Sequence, residues 1–443
     1  MKRTVFITVI LLSLLTVFGF VSCQRGGGAQ QGSEIHIGAA ICSEGAYALV
    51  GVPYGNFYKA YVDYINQAPE YKDILKGRTI RATIYDDKGD GAAGKTYIEK
   101  LINDDNVFSL VGILGTWNVV AAKYELETSG IPAVYFGTGT SAQMFEPASG
   151  SQRYMMGVQP LYKTEGRLMY LRAITYFQNV KSIGVVFSTA DDGLSLKAGI
   201  EAQSALDNRP EGVKPAIVYQ PIGSSDAASI GPQITAVQNC DVIIAAGNQA
   251  YFKAIYAAAY ANSIARPRPM ITTYVNISPT NIPTEAINSG AAEIYGAAWV
   301  VYYEKPGSSA EADRRLKDYA EYCKIVDWDT RYIPASEKEA YKVNAYSMSS
   351  YIAVRTFLVG IERLNASGKP LNAENFLEAM ESQRVPVAIS GGVNYAGGNR
   401  IGLDSLAFSK YQRPAPGRSA ADGTFVEADP MASIDELIAK LGR

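Results

Sequence analysis

Val107–Thr140 reads VFSLVGILGTWNVVAAKYELETSGIPAVYFGTGT, and its pattern of buried run, glycine loop and helix sets the fold class. Val107–Leu114 is apolar almost without break, as expected of a strand covered on both faces. Gly115-Thr116-Trp117-Asn118 then leads into a helix that should end near Ser129-Gly130. Ile131–Phe136 is the next strand, and Phe136–Ser141 forms a second glycine- and threonine-rich loop. Strand, helix and strand in this order make a βαβ unit, which requires a parallel sheet.

The same unit recurs outward in both directions. Upstream, Glu34–Ile41 reads as a strand, followed by the loop CSEGAYALVG and a helix from about Pro53 to Asn66. Thr79–Tyr85 alternates as a strand, and Gly94–Asn103 reads as a helix. Downstream the pattern restarts near Val158, with helices at Tyr162–Phe177, Leu194–Leu206, Ser229–Gln238 and Tyr251–Ala261. Strands are expected at Lys181–Phe187, Ala216–Tyr219, Cys240–Ala246 and Met270–Tyr274. Gly296–Glu304 reads as a crossover, a helix is expected around Ala310–Cys323, and a long helix at Tyr341–Arg363. The expectation is an α/β protein of two Rossmann-like lobes with parallel sheets, joined by a multi-strand hinge. Residues 34–157 with about 296–385 would form the first lobe, and 158–295 with about 386–443 the second.

The N-terminus speaks to compartment. Lys2-Arg3 precedes an uncharged, mostly apolar run from Thr4 to Val21, which ends in Ser22-Cys23. A basic start, an apolar stretch and a small residue before the break describe a secretory signal over residues 1–22. An uncleaved membrane anchor is the competing reading. Val21-Ser22-Cys23 resembles a bacterial lipobox, with Phe20 where leucine is usual, so Cys23 would carry lipid. Residues 23–33, rich in Gly and Gln, read as a flexible tether.

About 420 residues then remain, more than one core usually organises. A net charge of −2 argues against nucleic-acid binding. Cys42, Cys240 and Cys323 are scattered, so a disulfide-stapled fold is not suggested. His36 is the sole histidine and sits in a strand-like run, which argues against Ser-His-Asp or Cys-His catalysis and against a multi-histidine metal site. No cofactor motif appears: Gly137-Thr138-Gly139-Thr140 has neither dinucleotide spacing nor the Lys-Ser/Thr of a phosphate loop.

Open parallel sheets bind ligands where strands end and loops enter helices. Three loops qualify. In Gly115–Asn118, Thr116 offers a hydroxyl beside helix N–H groups, which suits a carboxylate; a plain N-cap is the alternative. Phe136–Ser141 adds Thr138 and Thr140. Glu44–Tyr47 could frame an apolar side pocket, or be a simple turn.

Four segments are similar to type I periplasmic binding proteins of the leucine/isoleucine/valine and amide class. They are IHIGAAICSEGAYALVGVPYGNFYKAYVDYIN, TIRATIYDDKGDGAAGKTYIEKLI, VFSLVGILGTWNVVAA and SGIPAVYFGTGTSAQM. The resemblance implies an extracytoplasmic solute-binding lipoprotein of an ABC importer, held in the cell envelope by its lipid and delivering an amino acid to a permease. It implies a carboxylate contact at Thr116, with Trp117 beside it, and contacts at Thr138 and Thr140. From the second lobe it implies Asp191 or Asp192, Asn248 or Gln249, and Tyr274 at the end of MITTY.

Two positions depart from the family pattern. Val50 stands where an aromatic residue is usual, and Tyr47 could replace it. The acidic partner of an α-ammonium group is missing from Thr272–Ser278, so Asp191 or Asp192 would have to supply that charge. A sensor domain of the same fold, a binder of amides, aromatic acids or sugars, and an enzyme using Asp86 and Asp87 are the alternatives.

Overall fold

The computed structural model describes residues 33–140, 150–262 and 268–442. The leader, Cys23, nearly all of the tether, and Ser141 lie outside the described residues. The first lobe is a parallel five-stranded sheet in the order β2-β1-β3-β4-β5. Its strands are β1 (Glu34–Ile41), β2 (Thr79–Asp86), β3 (Ser109–Leu114), β4 (Ala133–Gly137) and β5 (Met155–Met156). β3 is buried along its whole length, in agreement with its unbroken apolar run.

Helix α1 (Ala48–Gln67) covers this sheet and turns Tyr54, Phe57, Tyr58, Tyr61 and Tyr64 inward. Burying such aromatic side chains contributes roughly 1.5–3 kcal/mol each. The helix begins at Ala48 rather than Pro53, so Val50 and Gly51 belong to its first turns. Helix α2 (Gly91–Asn103) is capped by Asp90, whose carboxylate accepts from the Ala93 N–H at 2.8 Å. The helical segment after β3 is two short helices, α3 (Thr116–Ala121) and α4 (Lys123–Thr128).

The second lobe is a seven-stranded sheet in the order β14-β13-β10-β9-β8-β6-β7. β6 (Ser182–Ser188), β7 (Ala216–Ile222), β8 (Val242–Ala246), β9 (Met270–Thr272) and β10 (Ile294–Ala298) run parallel. Helices α5 (Tyr162–Tyr176) and α6 (Asp191–Leu206) pack backbone to backbone. A Cβ on Gly166 would fall 2.1 Å from the Leu196 carbonyl, and one on Gly199 2.1 Å from that of Lys163. α7 (Gly231–Val237) and α8 (Gln249–Ala261) complete the repeat.

After β10 the chain returns to the first sheet. α9 (Ala310–Trp328) and α10 (Ala345–Ser367) pack on α1, and α11 (Ala373–Glu381) packs on α10. The long helix expected from Tyr341 is interrupted at Asn344, whose side chain accepts from the Tyr346 and Ser347 N–H groups and caps α10. A short ribbon of β11 (Val385–Pro386) and β12 (Gly392–Val393) follows. β13 (Ser405–Gln412) and β14 (Thr424–Ser433) extend the second sheet antiparallel, and α12 (Ile434–Lys440) ends the fold.

Three segments cross between the sheets and are bonded to one another. Leu403 N–H donates to Val158 at 3.0 Å, Val301 N–H to Ile389 at 2.8 Å, and the Tyr395 hydroxyl to Gly157 at 2.8 Å. The two main-chain links and the tyrosine bond tie the segments of the multi-strand hinge together. Among the described residues, no helix is long and apolar enough to cross a membrane.

Candidate ligand-binding cleft

A cavity of about 280 Å³ lies between the lobes at the carboxyl ends of β3, β4, β6, β8 and β9. Both sheets therefore present their loop ends to one space, as expected of open α/β sheets.

On the first-lobe side, Gly115 turns the chain with φ of +98°, and a Cβ there would fall 2.3 Å from the Trp117 indole. Thr116 follows and lines the cavity. Its Oγ1 is 2.6 Å from Thr138 Oγ1, which in turn accepts from the Thr140 N–H at 3.1 Å. Thr138 and Thr140 are buried and do not line the cavity; they stand behind Thr116. When Thr138 donates, the Thr116 hydrogen is left for an acceptor in the cavity.

Tyr47 and Trp117 both line the cavity and stack with ring centroids 4.3 Å apart at 22°. The Trp117 indole N–H donates to Asp87 Oδ1 at 3.0 Å. Asp87 is fully buried and also accepts from Asn118 Nδ2 at 2.7 Å and the Gly89 N–H at 2.7 Å. Burial pushes its carboxyl above the usual range, against the pull of these three donors. Asp87 thus anchors the loop that carries Thr116 and Trp117. Its position just after β2 was the only sequence signal for it.

On the second-lobe side, α6 starts at Asp191, three residues before the expected Leu194, so Asp191 and Asp192 occupy its first turn. Both line the cavity. The Ser188 hydroxyl donates to Asp192 Oδ1 at 3.1 Å. The Oδ2 atoms of Asp191 and Asp192 are buried and accept no hydrogen bond among the described residues. Asn248 lines the cavity and caps α8, accepting from the Ala250 N–H at 3.2 Å. Gln249 donates to the Val275 carbonyl at 3.1 Å and meets the hydroxyl of Tyr346 on α10.

Tyr274 closes the hinge side. Its hydroxyl donates to the Pro160 carbonyl at 2.9 Å and accepts from Gln159 Nε2 at 2.8 Å; its ring stacks on Tyr162 at 5.8 Å. Below it Glu165 is fully buried, accepting from the Tyr274 N–H at 2.6 Å and the Thr273 hydroxyl at 2.8 Å. Burial pushes this carboxyl up to about 8, with Asp192 adding to the rise. Neither Gln159 nor Glu165 stood out in the sequence, because their partners lie more than a hundred residues away.

Of the expected residues, Tyr47, Thr116, Trp117, Asp192, Asn248 and Tyr274 share the cavity. Tyr54, Tyr135, Tyr162, Trp299 and Tyr346 join them, and no Lys, Arg or His is among the lining residues. His36 lies elsewhere, bonding to Thr83 and Arg81 within the first sheet. Cys42, Cys240 and Cys323 are unpaired thiols. Among the described residues no group of three His, Cys, Asp or Glu could hold a metal ion.

Two parallel-sheet lobes, a bonded hinge and a cleft at the strand ends define a two-lobed solute-binding protein. The chain belongs to the periplasmic binding protein family, whose model matches residues 34–410. It is the type I, leucine/isoleucine/valine-binding-like branch; its members are not enzymes, and they bind small molecules outside the cytoplasm for ABC transporters.

Solved structures agree in fold. A fatty acid ABC transporter substrate-binding protein from Thermomonospora curvata is 17% identical, with a TM-score of 0.64 over 92% of this chain and 95% of that one. A possible leucine/isoleucine/valine-binding protein from Rhodopirellula baltica is 14% identical, TM-score 0.61, covering 91% and 98%. A solute-binding protein from Rhodopseudomonas palustris, solved with 3,4-dihydroxybenzoic acid, is 15% identical, TM-score 0.63, covering 91% and 98%. No curated protein matches the chain by sequence.

Proposed function

We propose that the cleft captures an amino acid, gripping its carboxylate at Thr116 and its ammonium group at Asp191 and Asp192. The observation that carries this is the charge of the cavity wall: two carboxylates with buried, unpartnered oxygens and no basic side chain. A purely anionic cargo would meet those carboxylates with no cation to offset them, at a desolvation cost of several kcal/mol. That argues against the fatty acid and dihydroxybenzoic acid named for two structural neighbours. A zwitterion presents both signs, and the hydroxyl at Thr116 answers its negative end. The branched-chain cargo implied by the resemblance is one member of this class.

Capture works by hinge closure. The first lobe holds the carboxylate, and the second adds contacts that exist only when the lobes meet, so ligand populates the closed state. The permease then takes delivery from that state. Cys23 would carry the lipid that holds the protein at the membrane, with residues 24–33 as the tether.

Isothermal titration of the mature chain with the common amino acids and with benzoate and palmitate tests the reading. Tight binding of an amino acid, weakened in Thr116→Val, is expected. Binding of the anions alone would overturn it.

A further inference from the structure

One α-ammonium group needs one carboxylate, yet the cavity offers two. Asp191 and Asp192 both line it, and each keeps a buried Oδ2 with no donor. Acids in the first turn of a helix suit its dipole, but the dipole alone does not account for two acids lining one cavity with no basic partner. Glu165 lies close enough beneath to feel the charge of Asp192, and Tyr162 feels all three acids. The groups facing them are the Ser188 and Thr273 hydroxyls, the Tyr274 N–H and aromatic rings. No Lys, Arg or His lines the cavity to balance the two aspartates, while Glu165, its carboxyl pushed up to about 8, is mostly protonated at neutral pH and adds little charge.

A neutral zwitterion would therefore leave the closed cleft with uncompensated negative charge. The rest of the lining is rich in Tyr and Trp, whose faces attract cations and whose rings cover aliphatic stems. Resting on the amino-acid reading above, we infer that the cargo is a basic amino acid. Its aliphatic side chain would end in a second nitrogen cation, an amine or guanidinium. Asp191 and Asp192 would then divide the two positive charges between them.

Titration calorimetry on the full mature chain, with lysine, ornithine, arginine, leucine, glutamate and cadaverine, tests this. Lysine, ornithine or arginine should bind at least about ten-fold tighter than leucine. Asp191→Asn and Asp192→Asn should each weaken that ligand about ten-fold or more, and the variant that loses the partner of the side-chain cation should also narrow the ligand's advantage over leucine. Leucine bound as tightly as the basic amino acids would overturn the inference and leave the amino-acid reading standing. Cadaverine bound as tightly as lysine would overturn the amino-acid reading itself, because no carboxylate would then be needed. The unmodified chain decides the ranking even if a variant fails to fold.

Discussion

Gln159 donates to the Tyr274 hydroxyl at 2.8 Å while its own Oε1 accepts from Tyr135 at 3.1 Å. Tyr135 belongs to β4 of the first lobe, Gln159 to a crossing segment, and Tyr274 to the loop after β9 of the second. One amide thus joins both lobes through the hinge, beside the cavity that all three residues line. Gln159→Leu should leave the buried Tyr135 hydroxyl without its acceptor and cost about 1–3 kcal/mol. Urea unfolding checks the loss; unchanged stability would show that the link carries no load.

Asp87→Ala removes the shared acceptor of Trp117, Asn118 and Gly89. Several buried donors orphaned together should destabilise the first lobe by about 2–4 kcal/mol. Asp87→Asn, which keeps one acceptor oxygen, should be milder. Trp117 should also lose its fixed seat against Tyr47, read as a change in tryptophan fluorescence on ligand addition.

Thr116→Val keeps the shape and removes the hydroxyl. Ligand affinity should fall about ten-fold, the worth of one hydrogen bond to a charged group. Thr138 can still accept from the Thr140 N–H but loses the acceptor for its own buried hydrogen, so a stability loss of about 1–3 kcal/mol should accompany the change.

Glu165 gives a pH signature. Its carboxyl rises from an ordinary 4.5 to about 8 on folding, so the folded chain binds a proton that the unfolded chain has released. Stability contributed by this group is therefore lost as pH climbs through that window and is level above it. Glu165→Gln should flatten the slope of thermal stability between about pH 5 and 8. A variant with the slope of the parent chain would show that another group is responsible.

Cys23→Ala should move the protein from the membrane fraction to the soluble fraction, since an acyl chain supplies membrane affinity through its buried methylenes. A variant that still sediments with membranes would remove the lipid-anchor proposal.

The fold class was legible because its signals are local. Val107–Leu114 is apolar throughout, Gly115 follows it, and the same succession repeats along the chain, so each βαβ unit can be read within about thirty residues. Helix starts were less legible. α6 was expected from Leu194, but Asp191 and Asp192 are its first turn, where negative side chains suit the helix dipole. At the site, Thr116 and Tyr47 were visible as loop residues at strand ends. Thr138 and Thr140 were expected beside the ligand and instead stand behind Thr116, because the direction of a side chain in an extended loop depends on what packs against it.

Local composition and periodicity, then, were enough for two parallel α/β lobes, for loops that face one cleft, and for the exclusion of histidine chemistry. The tertiary structure alone brought Asp87 under Trp117, Gln159 between Tyr135 and Tyr274, and Glu165 beneath the cavity floor. Those contacts join residues up to more than a hundred positions apart, and each depends on burial and on partners that no stretch of sequence contains. The two acids of the cleft wall are neighbours in sequence, but the lack of any basic side chain facing them is set only once residues of both lobes line the one cavity.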